Sequence, residues 1–230
     1  MRHDPDAVML FAAGFGTRMG ALTATRPKPL VPVAGRALID HALALADGAG
    51  VARKVVNLHY LGDQIAAHLA GRADVALSWE PEILETGGGL RAALPLLGPG
   101  PVFTLNTDAV WTGENPLSRL RSGWDPAHMR ALLLLAPADR VTGHSGKGDF
   151  ALDDQGRITR GGPLVYLGAQ IVNPAGIEMI PGAFSLNRLW DAMIAGGTAH
   201  GMLHHGGWCD VGRPEGIALA EAMLQEAGRV

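Results

Sequence analysis

A single cysteine, Cys209, has no partner for an internal disulfide, which removes the disulfide-stapled secreted scaffolds from consideration. Long apolar runs are missing as well. The longest, Ala7 to Ala13 and Ala131 to Pro137, fall far short of the roughly 18 residues that a membrane-spanning helix needs. The opening stretch MRHDPDAVMLFAAG is too short and too acidic for a signal peptide, so the cytoplasm is the expected compartment. Neither sign of charge dominates: 19 basic against 22 acidic residues give −3, and no overall field draws nucleic acid or an anionic membrane. Any anion must be bound by a local cluster. With only 18% charged but 47% hydrophobic residues, the chain is neither disordered nor a coiled coil, and its 230 residues suit one domain spanning 1–230. What the chain has in excess is glycine, 32 of 230, about 14% where roughly 7% is usual. Tight turns or backbone-lined sites follow.

The hydropathy pattern predicts alternating strands and helices. Ala7 to Ala13 is a continuous apolar run, the mark of a strand buried on both faces. Ile39, Ala42, Leu43 and Ala46 recur at helical spacing, and Gly48 and Gly50 end that helix. Strands are then expected at 54–60, 74–79 and 102–105, with helices at 62–69 and 87–97 between them. Further along, the pattern predicts a helix at 115–122, a strand at 129–136, a hairpin turning at Asp154, Gln155 and Gly156, and a strand at 164–172. Helices at 186–194 and 214–227 complete the chain, the latter with proline at its start. The fold class is α/β: a Rossmann-like, mostly parallel sheet with helices on both faces.

In such a sheet, ligands bind beyond the carboxyl ends of the strands, which directs attention to the loop after the first strand, GFGTRMGALTATRPKPL. Gly14 and Gly16 allow backbone N–H groups to approach phosphate oxygens, Thr17 adds a hydroxyl and Arg18 a planar charged fork. Lys28 stands between Pro27 and Pro29, a cation on a stiffened backbone. This is polyphosphate chemistry. A P-loop is excluded, because five residues separate Gly14 from Gly20 and no lysine follows. A dinucleotide fingerprint is disfavoured too: Met19 occupies the third glycine position, and Pro27, Pro29 and Pro32 forbid the helix that should open there. His200, His204, His205, Cys209 and Asp210 superficially supply zinc ligands. Gly201, Gly206 and Gly207 deny them a helix, and neither C-x-x-C nor H-E-x-x-H occurs.

The stretch LFAAGFGTRMGALTATRPKPLVPVAGRALI resembles the signature of the sugar-1-phosphate nucleotidyltransferases, a strand followed by G-x-G-T-R, P-K-P-L and V-x-G-x-P-L-I. The resemblance continues through ETGGG at 85–89, NTDA at 106–109 and WCDVGRPE at 208–215, with Thr107 standing where the family has glycine. Within that family the chain is most similar to the short N-acetylmuramate α-1-phosphate uridylyltransferases, which share ETGGG, the GDF segment at 148–150 and FSLNRLWD at 184–191.

The resemblance implies transfer of a nucleotidyl group from an NTP to a sugar 1-phosphate with loss of pyrophosphate. UTP and N-acetylmuramic acid 1-phosphate are the favoured substrates, in the service of cell-wall recycling. The attacking phosphate is already anionic, so no general base is needed and the lack of a Ser-His-Asp constellation is consistent. Arg18 is expected on the β- and γ-phosphates, with Lys28 nearer the α-phosphate and the sugar phosphate. Asp108 and Asp210 match the family's two Mg²⁺ aspartates. Ala12, Ala13 and Gly88 are the expected readers of the base, beside Gly14, Gly16 and Thr17; Asn106 and Gly148 are the expected sugar contacts. Glu85 either orients its loop, touches the base or is solvated. Mannose-1-phosphate guanylyltransferase is the alternative within the family, and a non-catalytic nucleotide-sugar sensor the alternative outside it.

Overall fold

The computed structural model describes residues 4–228. The chain opens with β1 (Ala7–Phe11), followed by 3₁₀ segments at Thr17–Thr23 and Lys28–Leu30 and a small ribbon of β2 (Pro32–Val33) and β3 (Arg36–Ala37). The predicted strand-helix alternation then appears as α1 (Leu38–Gly48), β4 (Arg53–Leu58), α2 (Gly62–His68), β5 (Val75–Trp79), α3 (Glu85–Leu97) and β6 (Val102–Asn106). Next come β7 (Ala109–Trp111), α4 (Pro116–Gly123), β8 (Ala131–Pro137), the hairpin strands β9 (Phe150–Leu152) and β10 (Ile158–Arg160), and β11 (Leu164–Val172). The last elements are α5 (Asn187–Ala195), β12 (Ala199–Leu203), β13 (Trp208–Asp210) and α6 (Glu215–Glu226).

In the main sheet the order is β10-β9-β11-β6-β1-β4-β5, with β8 on the other side of β11 and β12 on β8. β6, β1, β4 and β5 are parallel, which places their carboxyl ends on one edge, with Phe11 opposite Asn106 and Leu58 opposite Trp79. β12 runs parallel to β8, while β11 is antiparallel to both β6 and β8. β1 is hydrogen-bonded on both sides and buried on both faces, as its unbroken apolar run requires. One face of the sheet packs Ile39, Leu43, Phe103, Leu105 and Leu117 beneath α1 and α4; the other packs Met9, Leu90, Leu133, Phe150 and Trp190 beneath α3 and α5.

A third apolar cluster lies under the glycine-rich loop. Met19, only 1% exposed, packs there with Leu38, Val110, Val211 and Leu224. The residue that breaks the dinucleotide fingerprint is thus the loop's hydrophobic anchor.

Periodicity does not predict β7 or β12. β7 has three residues, too few for any period, and pairs antiparallel with β13 about a hundred residues downstream. β12 contains Gly201, where a side chain would collide with Leu135, Ile158 and Leu152; the glycine marks a close approach within the sheet. No helix among the described residues is long and apolar enough to cross a membrane.

Candidate active site

At the carboxyl edge of the parallel strands lies a cleft of about 320 Å³. The first loop contributes Ala12, Ala13, Gly14, Gly16, Thr17, Arg18 and Lys28 to its wall, and the end of β6 contributes Asn106, Thr107 and Asp108. Residues more than ninety positions apart therefore meet, because Phe11 and Asn106 are register partners on adjacent strands.

The loop keeps its shape through its own polar groups. Gly16 takes up positive φ, and the Thr23 hydroxyl donates to its carbonyl at 2.9 Å. From the second layer, the Tyr60 hydroxyl donates to the Thr23 carbonyl at 2.8 Å. Pro27 and Pro29 flank Lys28, whose ammonium lies 2.7 Å from Asp108 Oδ2. Both side chains are largely sequestered, 10% and 30% exposed, so this pair is poorly screened by water.

Asp210 arrives by a different route. It pairs with Ala109 in the β7-β13 ribbon, and the N–H of Val211 donates to the Asp108 carbonyl, which locks the two aspartate-bearing segments together. Burial pushes the Asp210 carboxyl above the ordinary carboxylate range, and the charge of Asp108 adds to the push; Lys28, Arg18 and His144 pull it back. Gly212 leaves room beside it: a methyl group there would stand 2.8 Å from Asp210 Oδ2 and 3.1 Å from Arg18 Nη2. Arg18, Lys28, Asp108 and Asp210 thus form one group of two positive and two negative charges. Among the described residues no group of three or more His, Cys, Asp or Glu is placed to hold a metal ion. Two mutually repelling carboxylates beside a glycine-rich loop fit Mg²⁺, which takes one or two carboxylates and completes its shell with phosphate and water.

The other end of the cleft is built on a buried polar relay. The N–H of Ala12 donates to Asn57 Oδ1 at 2.7 Å, Asn57 Nδ2 donates to Glu80 Oε1 at 2.7 Å, and the N–H of Leu84 donates to Glu80 Oε2 at 3.1 Å. Asn57 and Glu80 are 3% and 4% exposed, yet both border the cleft. Neither stands among the expected site residues. Asn57 did leave a signal, an amide interrupting the apolar strand KVVNLHY.

Ala12 lines the cleft as expected, but of the carbonyl and amide groups expected to read the base its N–H is taken by Asn57. Gly88, by contrast, is not brought to the cleft wall, and its N–H donates to the Phe184 carbonyl at 3.0 Å. The bare residues Gly87 and Gly88 make room for neighbours, the first for the Phe184 ring and the second for Leu84. Glu85 does line the cleft, in a left-handed conformation with φ of 58° at the start of α3. Thr86, beside it, accepts the N–H of Leu186.

Toward the expected sugar end, Asn106 faces Gly168 across the bulge in β11, where a side chain would stand 2.8 Å from the Asn106 amide. Thr107 donates to the Phe11 carbonyl at 2.7 Å, tying the ends of β6 and β1. Gly148 is not brought to this cleft. It packs against Gly162 and Pro163 at the base of the β9-β10 hairpin, a position its φ of +118° and lack of a side chain permit.

A doubly covered parallel sheet, a glycine-rich anion loop at its carboxyl edge, and paired cations and carboxylates define a nucleotidyl-transferring class of protein. Residues 8–173 match the MobA-like NTP transferase domain, and the chain belongs to that family. It is 41% identical to the N-acetylmuramate alpha-1-phosphate uridylyltransferase of Caulobacter vibrioides, over 99% of this chain and 100% of that protein. The protein of the same name from Neisseria meningitidis serogroup B is 35% identical, over 94% of this chain and 96% of its own. Among solved structures, HddC from Yersinia pseudotuberculosis superposes with a TM-score of 0.76 at 21% identity, covering 94% of this chain and 98% of that one, and so shares the fold.

Proposed function

We propose that the protein transfers the uridylyl group of UTP to N-acetylmuramic acid 1-phosphate, giving UDP-N-acetylmuramic acid and pyrophosphate. An oxygen of the sugar phosphate attacks the α-phosphorus in line, and the bond from the α-phosphorus to the bridging oxygen of the β-phosphate breaks. The attacking oxygen is already anionic, so the protein's task is to hold two polyanions together. Arg18, beside Gly212, holds the β- and γ-phosphates and stabilises the departing pyrophosphate. Lys28 offsets repulsion where the α-phosphate and the sugar phosphate meet. Asp108 and Asp210 would hold Mg²⁺, which supplies charge neutralisation at the phosphates when bound. Gly14, Gly16 and Thr17 present backbone and hydroxyl donors to the nucleotide, Ala13 borders the base, and Asn106 contacts the sugar. Product of this kind serves reuse of cell-wall sugar, in the cytoplasm.

The observation that carries this reading is the full-length likeness to two proteins of that name, joined to a cleft lined by Gly14, Gly16, Thr17, Arg18, Lys28 and Asp108, with the Asp210 segment tied to that of Asp108 by the β7-β13 ribbon. The test is pyrophosphate release across four NTPs and several sugar 1-phosphates with Mg²⁺. N-acetylmuramic acid 1-phosphate carries a lactyl carboxylate that N-acetylglucosamine 1-phosphate lacks. Its kcat/KM should be more than about tenfold higher, about 1.4 kcal/mol, within reach of one charge-assisted hydrogen bond. Equal rates for the two sugars, or a preference for GTP with mannose 1-phosphate, would overturn the substrate assignment.

A further inference from the structure

Lys28 has two claims on it. Nucleotidyl transfer wants its ammonium on phosphate, yet the structure sets that ammonium 2.7 Å from Asp108 Oδ2, in a pair only 10% and 30% exposed. Asp108 is also one of the two carboxylates suited to the divalent ion. Its neighbour Asp210 faces Arg18, Lys28 and His144 as well as Asp108. A divalent cation entering this cleft alone would meet one carboxylate already taken by a cation and two positive side chains that repel it. A nucleotide reverses the balance, since its phosphates attract Arg18 and Lys28 away from the aspartates and bring oxygen ligands of their own.

We propose that Lys28 is the resident counter-ion of Asp108 in the free protein, so that Asp108 becomes available to a divalent metal only when nucleotide phosphates draw the ammonium off. Lys28 is then a positioning residue for metal uptake, in addition to its role on the reacting phosphates. The proposal rests on the assignment of Asp108 and Asp210 to metal. It predicts that removing the lysine charge strengthens metal binding by the free protein while weakening catalysis, an opposition that a purely catalytic lysine would not produce.

The experiment is titration of Mn²⁺ into nucleotide-free protein, with the unbound ion followed by its paramagnetic resonance. Lys28→Met keeps the length of the buried stem, and Lys28→Gln keeps a hydrogen bond to Asp108 without charge. Both should bind Mn²⁺ at least tenfold more tightly than wild type, and adding Asp108→Asn to Lys28→Met should abolish the gain. Wild-type affinity in both lysine variants would overturn the proposal, as would a gain that survives Asp108→Asn. Because the probe is metal alone, the outcome is separable from the substrate assignment. A protein that releases pyrophosphate but shows no gain on losing Lys28 keeps its function and loses this inference, and the converse result does the reverse.

Discussion

Exchanging Asn57 for aspartate changes one atom's chemistry at nearly constant shape, and its consequence follows from the relay that spans the cleft. Asn57 accepts from the N–H of Ala12 and donates to Glu80 Oε1, each at 2.7 Å, in a site 3% and 4% exposed. The aspartate keeps the first bond. It turns the second into a contact between two buried carboxylates. A buried carboxylate deprived of its partner costs about 3–5 kcal/mol, and the like charge now facing it places Asn57→Asp toward the top of that range. For a chain of this size each kcal/mol lowers Tm by about 2–4 °C, so the melting point should fall by roughly 8–20 °C.

Glu80→Gln alone should cost less, about 1–3 kcal/mol, because its amide must present a donor to either Asn57 Nδ2 or the N–H of Leu84. The variant carrying both Asn57→Asp and Glu80→Gln is the decisive one. Its aspartate would still accept from the N–H of Ala12, the introduced glutamine amide would donate to that aspartate, and the glutamine carbonyl oxygen would accept from Leu84. The relay is complete again with its polarity reversed, and the double variant should be more stable than Asn57→Asp alone. Two facing carboxylates raise the apparent pKa of one of them in the folded state. Stability from that proton is present at low pH and lost as pH rises, so the Asn57→Asp deficit should narrow on acidification from about pH 7.5 to about pH 5. Urea denaturation of the four proteins at both pH values measures all of this. If Asn57→Asp lies within about 1 kcal/mol of wild type, or the double variant is worse than either single one, the relay is not what holds the rim.

Three other outcomes are expected. Lys28→Ala should lower turnover at least about tenfold in steady-state assays while its thermal melt stays cooperative, because a positioned cation at the reacting phosphates is removed. Asp210→Asn should abolish metal-dependent turnover yet melt no lower than wild type at pH 7 without metal. The folded-state carboxyl of Asp210 titrates high, so its ionisation opposes folding at neutral pH and is neutral in effect once both states are protonated below about pH 4. Gly168→Ala, at φ of +81° and with its new methyl 2.8–2.9 Å from the Asn106 side chain, should cost about 1–3 kcal/mol in melting and raise KM for the sugar phosphate more than for the nucleotide.

The glycine-rich end of the cleft was legible in the chain because a backbone-lined wall is made from consecutive residues. Gly14, Gly16, Thr17 and Arg18 must sit in one loop, and Lys28 must sit in a stiffened one. Asp108 was legible for a similar reason, as an acid just past a buried strand. The opposite end was not, since Asn57 on β4 and Glu80 just past the end of β5 lie 23 residues apart, and each taken alone is an ordinary polar residue. Nor could local pattern supply the three-residue pairing of β7 with β13, which sets Asp210 beside Asp108. Gly88 shows the limit in the other direction: bareness is visible in a sequence, but whether a ligand or Phe184 fills the space depends on a loop about a hundred residues away.

The surplus of glycine acquires a specific meaning from these contacts. At Gly89 a methyl group would stand 2.7 Å from Glu80 Oε1 and 3.0 Å from Asn57 Nδ2; at Gly212 it would crowd both oxygens of Asp210; at Gly168 it would press on Asn106. In each case the backbone closes directly over a polar side chain of the site, where a Cβ would force the carboxylate or amide aside. Packing this tight excludes water from around charges that would be weak if solvated, and it holds their orientation without further side chains. The polar side chains around the cleft are therefore held by positions with no side chain of their own, and substitution at Gly89, Gly168 or Gly212 should disturb catalysis although none of the three offers a side-chain group to a substrate.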